Sequence, residues 1–103
     1  MKCLWEILVP AAMDDFPVDA SYHRAWDDKV RSITGGLTLL KATKGTWTNP
    51  SGVVFKEKML PVRICCTETE IETIMDFTAT HYNQEEVMAY RLSDCVKFRP
   101  NPS

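Results

Sequence analysis

The chain has 103 residues, with 12 Lys+Arg against 14 Asp+Glu and a formal net charge of −2. That length suits one domain with a modest core. The charge balance excludes the basic face that nucleic acid or an anionic membrane surface would need. Hydrophobic residues make up 45% and charged residues 25%, as in an ordinary soluble globular protein.

Glu6 interrupts the first apolar run and Asp14-Asp15 follow, so the start does not read as a signal peptide. No stretch approaches the roughly 18–20 apolar residues of a membrane helix. A cytosolic location is the expectation. The four cysteines, Cys3, Cys65, Cys66 and Cys95, show no CxxC or Cys/His spacing. They read as reduced, space-filling thiols, and no metal or cofactor is expected.

Leu4 to Val9 is the first predicted strand, apolar on both faces except at Glu6, and Pro10 ends it. Ala11 to Val18 reads as a loop of unusual length for a strand-to-helix connection. Asp19 or Ser21 can cap the first helix. Its stripe is Tyr22, Trp26, Val30 and Ile33, with Ala25 beside it and Arg24, Asp27, Asp28 and Arg31 on the wet side. Gly35 stands where a left-handed helix end belongs.

Leu37 to Ala42 is the second predicted strand and Thr43 to Asn49 a connection holding Trp47, flanked by the turn signals Lys44-Gly45 and Asn49-Pro50-Ser51-Gly52. Val53 to Met59 is the third strand, placing Val53, Phe55, Glu57 and Met59 on one face. Pro61 marks a break, and Val62 to Cys66 either starts a new strand or continues the third through a kink. Thr67 with Glu70 matches a capping box. Ile71, Ile74, Met75, Thr78 and Tyr82 form the stripe of the second helix, which Asn83-Gln84 closes. Val87 to Leu92 is the last full strand, and Val96-Lys97-Phe98 suits a short edge strand.

This order, βαββαβ, defines an α+β, ferredoxin-like split βαβ sandwich: an antiparallel sheet with two helices on one face. The expected organisation is one domain over residues 1–98 and a flexible tail over 99–103. The other face is left open, with Trp5, Val53 and Phe55 as spare apolar groups. A homo-oligomer pairing these faces is predicted, the alternative being a C-terminal segment folded over the sheet.

The pattern Gly36-Leu37-Thr38-x-Leu40, Gly45-x-Trp47, Ser51-Gly52, Glu57 and Gln84-Glu85-x-Val87 resembles an uncharacterised family of small bacterial proteins. The resemblance spans residues 33–98 and implies a ferredoxin-like domain and a dimer, but no reaction. The architecture is also similar to small oligomeric ferredoxin-like proteins of phages and mobile elements, some of which bind or cleave small metabolites at subunit interfaces.

Glu57, on an apolar strand face, suits general acid–base work. His23 and Tyr82 are its candidate catalytic companions, and Glu6 poses the same question on the first strand. The structural alternative pairs each carboxylate with an arginine, Arg63 or Arg91. Trp47, Gln84 and Arg63 are candidate ligand-binding residues, although Trp47 can equally plug the sheet end. His81 is explained by the dipole at the end of the second helix. Gly35-Gly36 ends a helix and lacks the GxxxxGK[ST] and GxGxxG patterns, so it is not a phosphate loop.

Three functions follow. The first is an oligomeric small-molecule-binding or regulatory module. The second is a small isomerase- or lyase-type enzyme using Glu57 with His23 or Tyr82 at a subunit interface. The third is a protein-interaction factor of a phage or mobile element, contacting its partner through Trp47 and the Ala11–Val18 loop.

Overall fold

The computed structural model describes residues 1–13 and 16–102. Strand β1 (Cys3–Pro10) leads into the short pair β2 (Ala12–Met13) and β3 (Phe16–Pro17), then helix α1 (Ala20–Thr34). Strands β4 (Thr38–Leu39), β5 (Thr43–Thr48) and β6 (Val54–Cys66), helix α2 (Glu68–His81) and strand β7 (Ala89–Ser93) follow. The main sheet runs β4–β6–β1–β7, antiparallel throughout, with β5 also paired to β6. The expected α+β ferredoxin-like architecture is the one observed.

Helix formation follows the local signals. Asp19 accepts a hydrogen bond from the Ser21 N–H at 2.8 Å, and Gly35 closes α1 at φ +86°. Thr67 and Glu70 make the reciprocal capping box of α2. Side chains alternating along the strands send Ile7, Val9, Val62, Ile64 and Cys66 to the helix-covered face, against Trp26, Val30, Ile71, Ile74 and Tyr82. Trp5 faces this core too, opposite Ile64, rather than standing spare on the open face. Tyr22, expected in the α1 stripe, is exposed and lies against the His81 ring at 5.0 Å between centroids.

The second strand is not one run over Leu37–Ala42. Only Thr38 and Leu39 pair with β6, and the chain pairs again from Thr43, so Trp47 sits in a strand and not in a turn. Thr43, Thr46, Trp47 and Thr48 favour extended chain. The reversal falls later, where Asn49 Oδ1 accepts from the Ser51 and Val53 N–H groups and Gly52 takes φ +83°.

Pro61 does not break β6. Its carbonyl accepts from the Leu40 N–H at 2.9 Å, so its missing donor falls on that same side, where the partner changes from β5 to β4. The Ala11–Val18 loop is partly a paired ribbon, β2 with β3, while Asp14 and Asp15 lie outside the described residues. Val96–Phe98 forms no strand, and the last strand begins at Ala89 rather than Val87.

Candidate functional site

β1 stops at Pro10, opposite Met59, whereas β6 continues back to Val54. Val54–Glu57 therefore ladder with β5 alone, the Lys58 carbonyl also accepting from the Ala11 N–H at 2.9 Å, and this part of β6 forms with β5 an arm beyond the end of β1. The molecule measures 53 × 28 × 22 Å, and the 13 residues of β6 extend over about 40 Å at ~3.3 Å per residue. Trp47 lies directly opposite Phe55, their rings stacked at 4.5 Å and 16°. Glu57 follows on the same face, opposite Gly45.

The end of α2 brings a second wall to the arm. Asn83 takes φ +50°, a left-handed conformation that asparagine tolerates better than most residues. The Gln84 N–H then donates to the Ala79 carbonyl at 2.8 Å, which turns Gln84, Glu85 and Glu86 toward the arm. A cleft of about 500 Å³ results, lined by Trp47, Phe55, Glu57, Tyr82, Gln84 and Glu86 among others. A neighbouring cleft of about 410 Å³ is lined by Trp47, Glu57, Met59, Met75, Glu86 and Met88 among others. Trp47, Glu57 and Glu86 line both. The second cleft has these two carboxylates and no Lys or Arg in its lining. The first adds Glu85, Lys56 and Lys58. Gln84 Oε1 is buried and has no hydrogen-bond partner among the described residues.

Behind the first cleft, Tyr82 is only 1% exposed and hydrogen-bonds through its hydroxyl to His23 Nδ1 at 2.8 Å. Burial pushes the Tyr82 phenol up, with the Asp27 charge adding to it. Burial also lowers the pKa of His23; His81 acts in the same direction and Asp27 opposes it. His81 Nε2–H donates to the Tyr22 carbonyl at 2.8 Å. Two histidine contacts therefore stitch α1 to the end of α2.

Four of the six residues expected to form a site, Trp47, Glu57, Tyr82 and Gln84, line one cleft. His23 stands one hydrogen bond behind Tyr82 and borders a separate small cavity with Leu39 and Leu60. Arg63 lies elsewhere on the sheet. Its Nε donates to Glu6 at 3.1 Å, and Glu6 also accepts from the Tyr90 hydroxyl. The ion-pair alternative thus holds for Glu6 and Arg63. Glu86 and Met88 escaped the sequence reading; the signal available was the acidic pair Glu85-Glu86 directly after a helix end.

The fold and cleft define a small α+β protein of ferredoxin-like architecture. No family model matches the chain, and no curated protein does. Among solved structures it is similar to a phage SAM lyase in complex with S-methyl-5′-thioadenosine, with 16% identity, TM-score 0.66, and coverage of 89% of this chain and 81% of that one. It is also similar to CutA1 from Oryza sativa, with 8% identity, TM-score 0.66, and coverage of 94% and 83%. A divalent cation tolerance protein (Cut A1) from Thermus thermophilus gives 12% identity, TM-score 0.61, and coverage of 87% and 82%. At these identities the likeness is one of fold alone.

Proposed function

We propose that this protein is an oligomeric small-molecule-binding module whose site is the pair of clefts around Trp47 and Glu57. The observation that carries the reading is the lining of the second cleft: an indole, three methionines and two carboxylates with no basic side chain. Such a lining suits a compact molecule with a flat ring, an apolar body and a positive charge. The similarity to a phage SAM lyase bound to S-methyl-5′-thioadenosine supports this chemistry, because SAM joins an aromatic base to a sulfonium cation. Among the described residues no helix is long and apolar enough to cross a membrane. Half-buried Leu4, Leu8 and Cys65 on the open sheet face support the proposed homo-oligomer, as does the resemblance to the small bacterial family.

A second reading, a lyase, is favoured by Glu57 itself. In an elimination its carboxylate takes a proton from the carbon next to the one that bears the sulfonium sulfur, and the electron pair of that C–H bond becomes a C=C bond. The C–S bond breaks, and sulfur keeps the electron pair as a neutral thioether. Tyr82, with His23 behind it, is a proton-holding pair at the same cleft.

Thermal unfolding with SAM and with S-methyl-5′-thioadenosine tests the module reading. Ligand at one hundred times its Kd stabilises the folded state by about 2.7 kcal/mol, and Trp47→Ala removes that shift. No stabilisation by either compound sinks the reading. Product analysis after incubation with SAM tests the second, and Glu57→Gln turning over at the wild-type rate rejects it.

A further inference from the structure

We propose that Gln84 and the edge of β6 at Lys56 read an N–H donor on the ring of the bound molecule, so that the ligand is an amino-substituted planar heterocycle. The assignment rests on the small-molecule reading of the cleft and deepens it.

Gln84 Oε1 is a buried acceptor with no partner among the described residues, and its residue lines the cleft. A buried acceptor left unpaired is unfavourable, and a ligand N–H relieves it on binding. The Gln84 backbone is anchored by its N–H bond to the Ala79 carbonyl, directly after the left-handed turn at Asn83. The amide is thus offered from a fixed point.

Across the cleft, the Lys58 carbonyl accepts from the Ala11 N–H at 2.9 Å. That bond shows which β6 backbone groups point away from β5. Backbone groups alternate sides along an antiparallel strand, so the Lys56 N–H and C=O point the same way as those of Lys58. They lie beyond the end of β1, and Lys56 is itself part of the cleft lining. One N–H and one C=O side by side match a ring nitrogen next to an exocyclic amine. The amine has two hydrogens, one for the Lys56 carbonyl and one for Gln84 Oε1. Trp47 supplies a flat surface beside this edge, and Glu57 and Glu86 face the remainder of the molecule.

The test uses two probes, S-methyl-5′-thioadenosine and its 6-oxo counterpart, in which a carbonyl replaces the exocyclic amine. Calorimetry on the wild-type protein is expected to show at least about tenfold tighter binding of the amino compound, because a site built to accept a hydrogen bond rejects the analogue lacking the donor. Gln84→Met keeps the volume and removes the acceptor, and the preference falls to under about threefold. Gln84→Glu keeps an acceptor and retains the preference, a split that a merely structural role would not produce.

Equal wild-type affinities for the two probes overturn the assignment and leave the small-molecule reading standing. Retention of the preference in Gln84→Met also overturns it. Binding of neither probe removes both. If Gln84→Met does not fold, the wild-type comparison and Gln84→Glu decide.

Discussion

On the helix-covered side of the sheet, polar side chains are used up inside the fold. Trp26 Nε1–H donates to Thr78 at 2.8 Å, the Thr78 hydroxyl donates to the Ile74 carbonyl at 2.6 Å, and Tyr82 meets His23. Trp5 Nε1 is the exception, buried without a partner among the described residues. Around the arm the reverse holds. Trp47 and Glu57 are only half-buried, and Gln84 Oε1 has no partner among the described residues. Apart from Trp5 Nε1, the first region pairs the buried polar groups named here within the fold and so specifies a structure. The second leaves its own for something else.

Breaking the first region should cost stability, and breaking the second should cost binding. Trp26→Ala removes a side chain 2% exposed and is expected to destabilise by about 3–5 kcal/mol in chemical denaturation. Thr78→Val keeps the shape but strands the Trp26 indole N–H, at about 1–3 kcal/mol by the same measurement. Trp47→Ala sits on the arm and is expected to shift stability by about 1 kcal/mol or less while abolishing ligand-induced stabilisation. Glu57→Gln is expected to stay within about 0.5 kcal/mol of wild type and to weaken a cationic ligand more than a neutral one. A large loss of stability from Trp47→Ala would show that the arm is structural and would erase the contrast.

Acid sharpens the same comparison. The pKa of His23 in the folded state lies below its ordinary 6.5, so the unfolded chain binds the proton more readily. The stability tied to a neutral His23 is present above about 6.5 and is lost as pH falls through the folded-state value. His23→Gln, which retains a hydrogen-bonding side chain toward Tyr82 without titrating, is expected to flatten this part of the stability–pH profile in denaturation at successive pH values.

Much of the body was legible in the sequence because its signals are local. The capping box of Thr67 and Glu70, the glycine stop at Gly35 and the period of Trp26 and Val30 each act within a few residues. The arm was harder to read. Lys44-Gly45 resembles a turn but lies within β5, because cross-strand pairing with β6 overrode a weak local preference. Pro61 resembles a strand break but falls where β6 changes partner, a fact of pairing that no local signal carries. Glu57, Trp47, Tyr82 and Gln84 could be named one by one. Their meeting depends on the length of β6 and the left-handed turn at Asn83. Arg63 carries two readings in the sequence, ligand-binding residue and ion-pair partner of a carboxylate, and the choice of Glu6 as its partner required the β1–β6 register.

The register of the arm also places Lys44 directly opposite Lys58. Like charges facing each other across a strand pair weaken it, so this ribbon is less cohesive than its sequence could have made it. Its tip carries exposed Val53 and Val54, and its outer strand has an unpaired side. Such a ribbon is the shape on which strands of other molecules accumulate into aggregates, and lysines along an open strand are a recurrent protection against that outcome. Lys44 stands on that outer strand, so the open edge carries a charge of the kind that opposes further strand pairing.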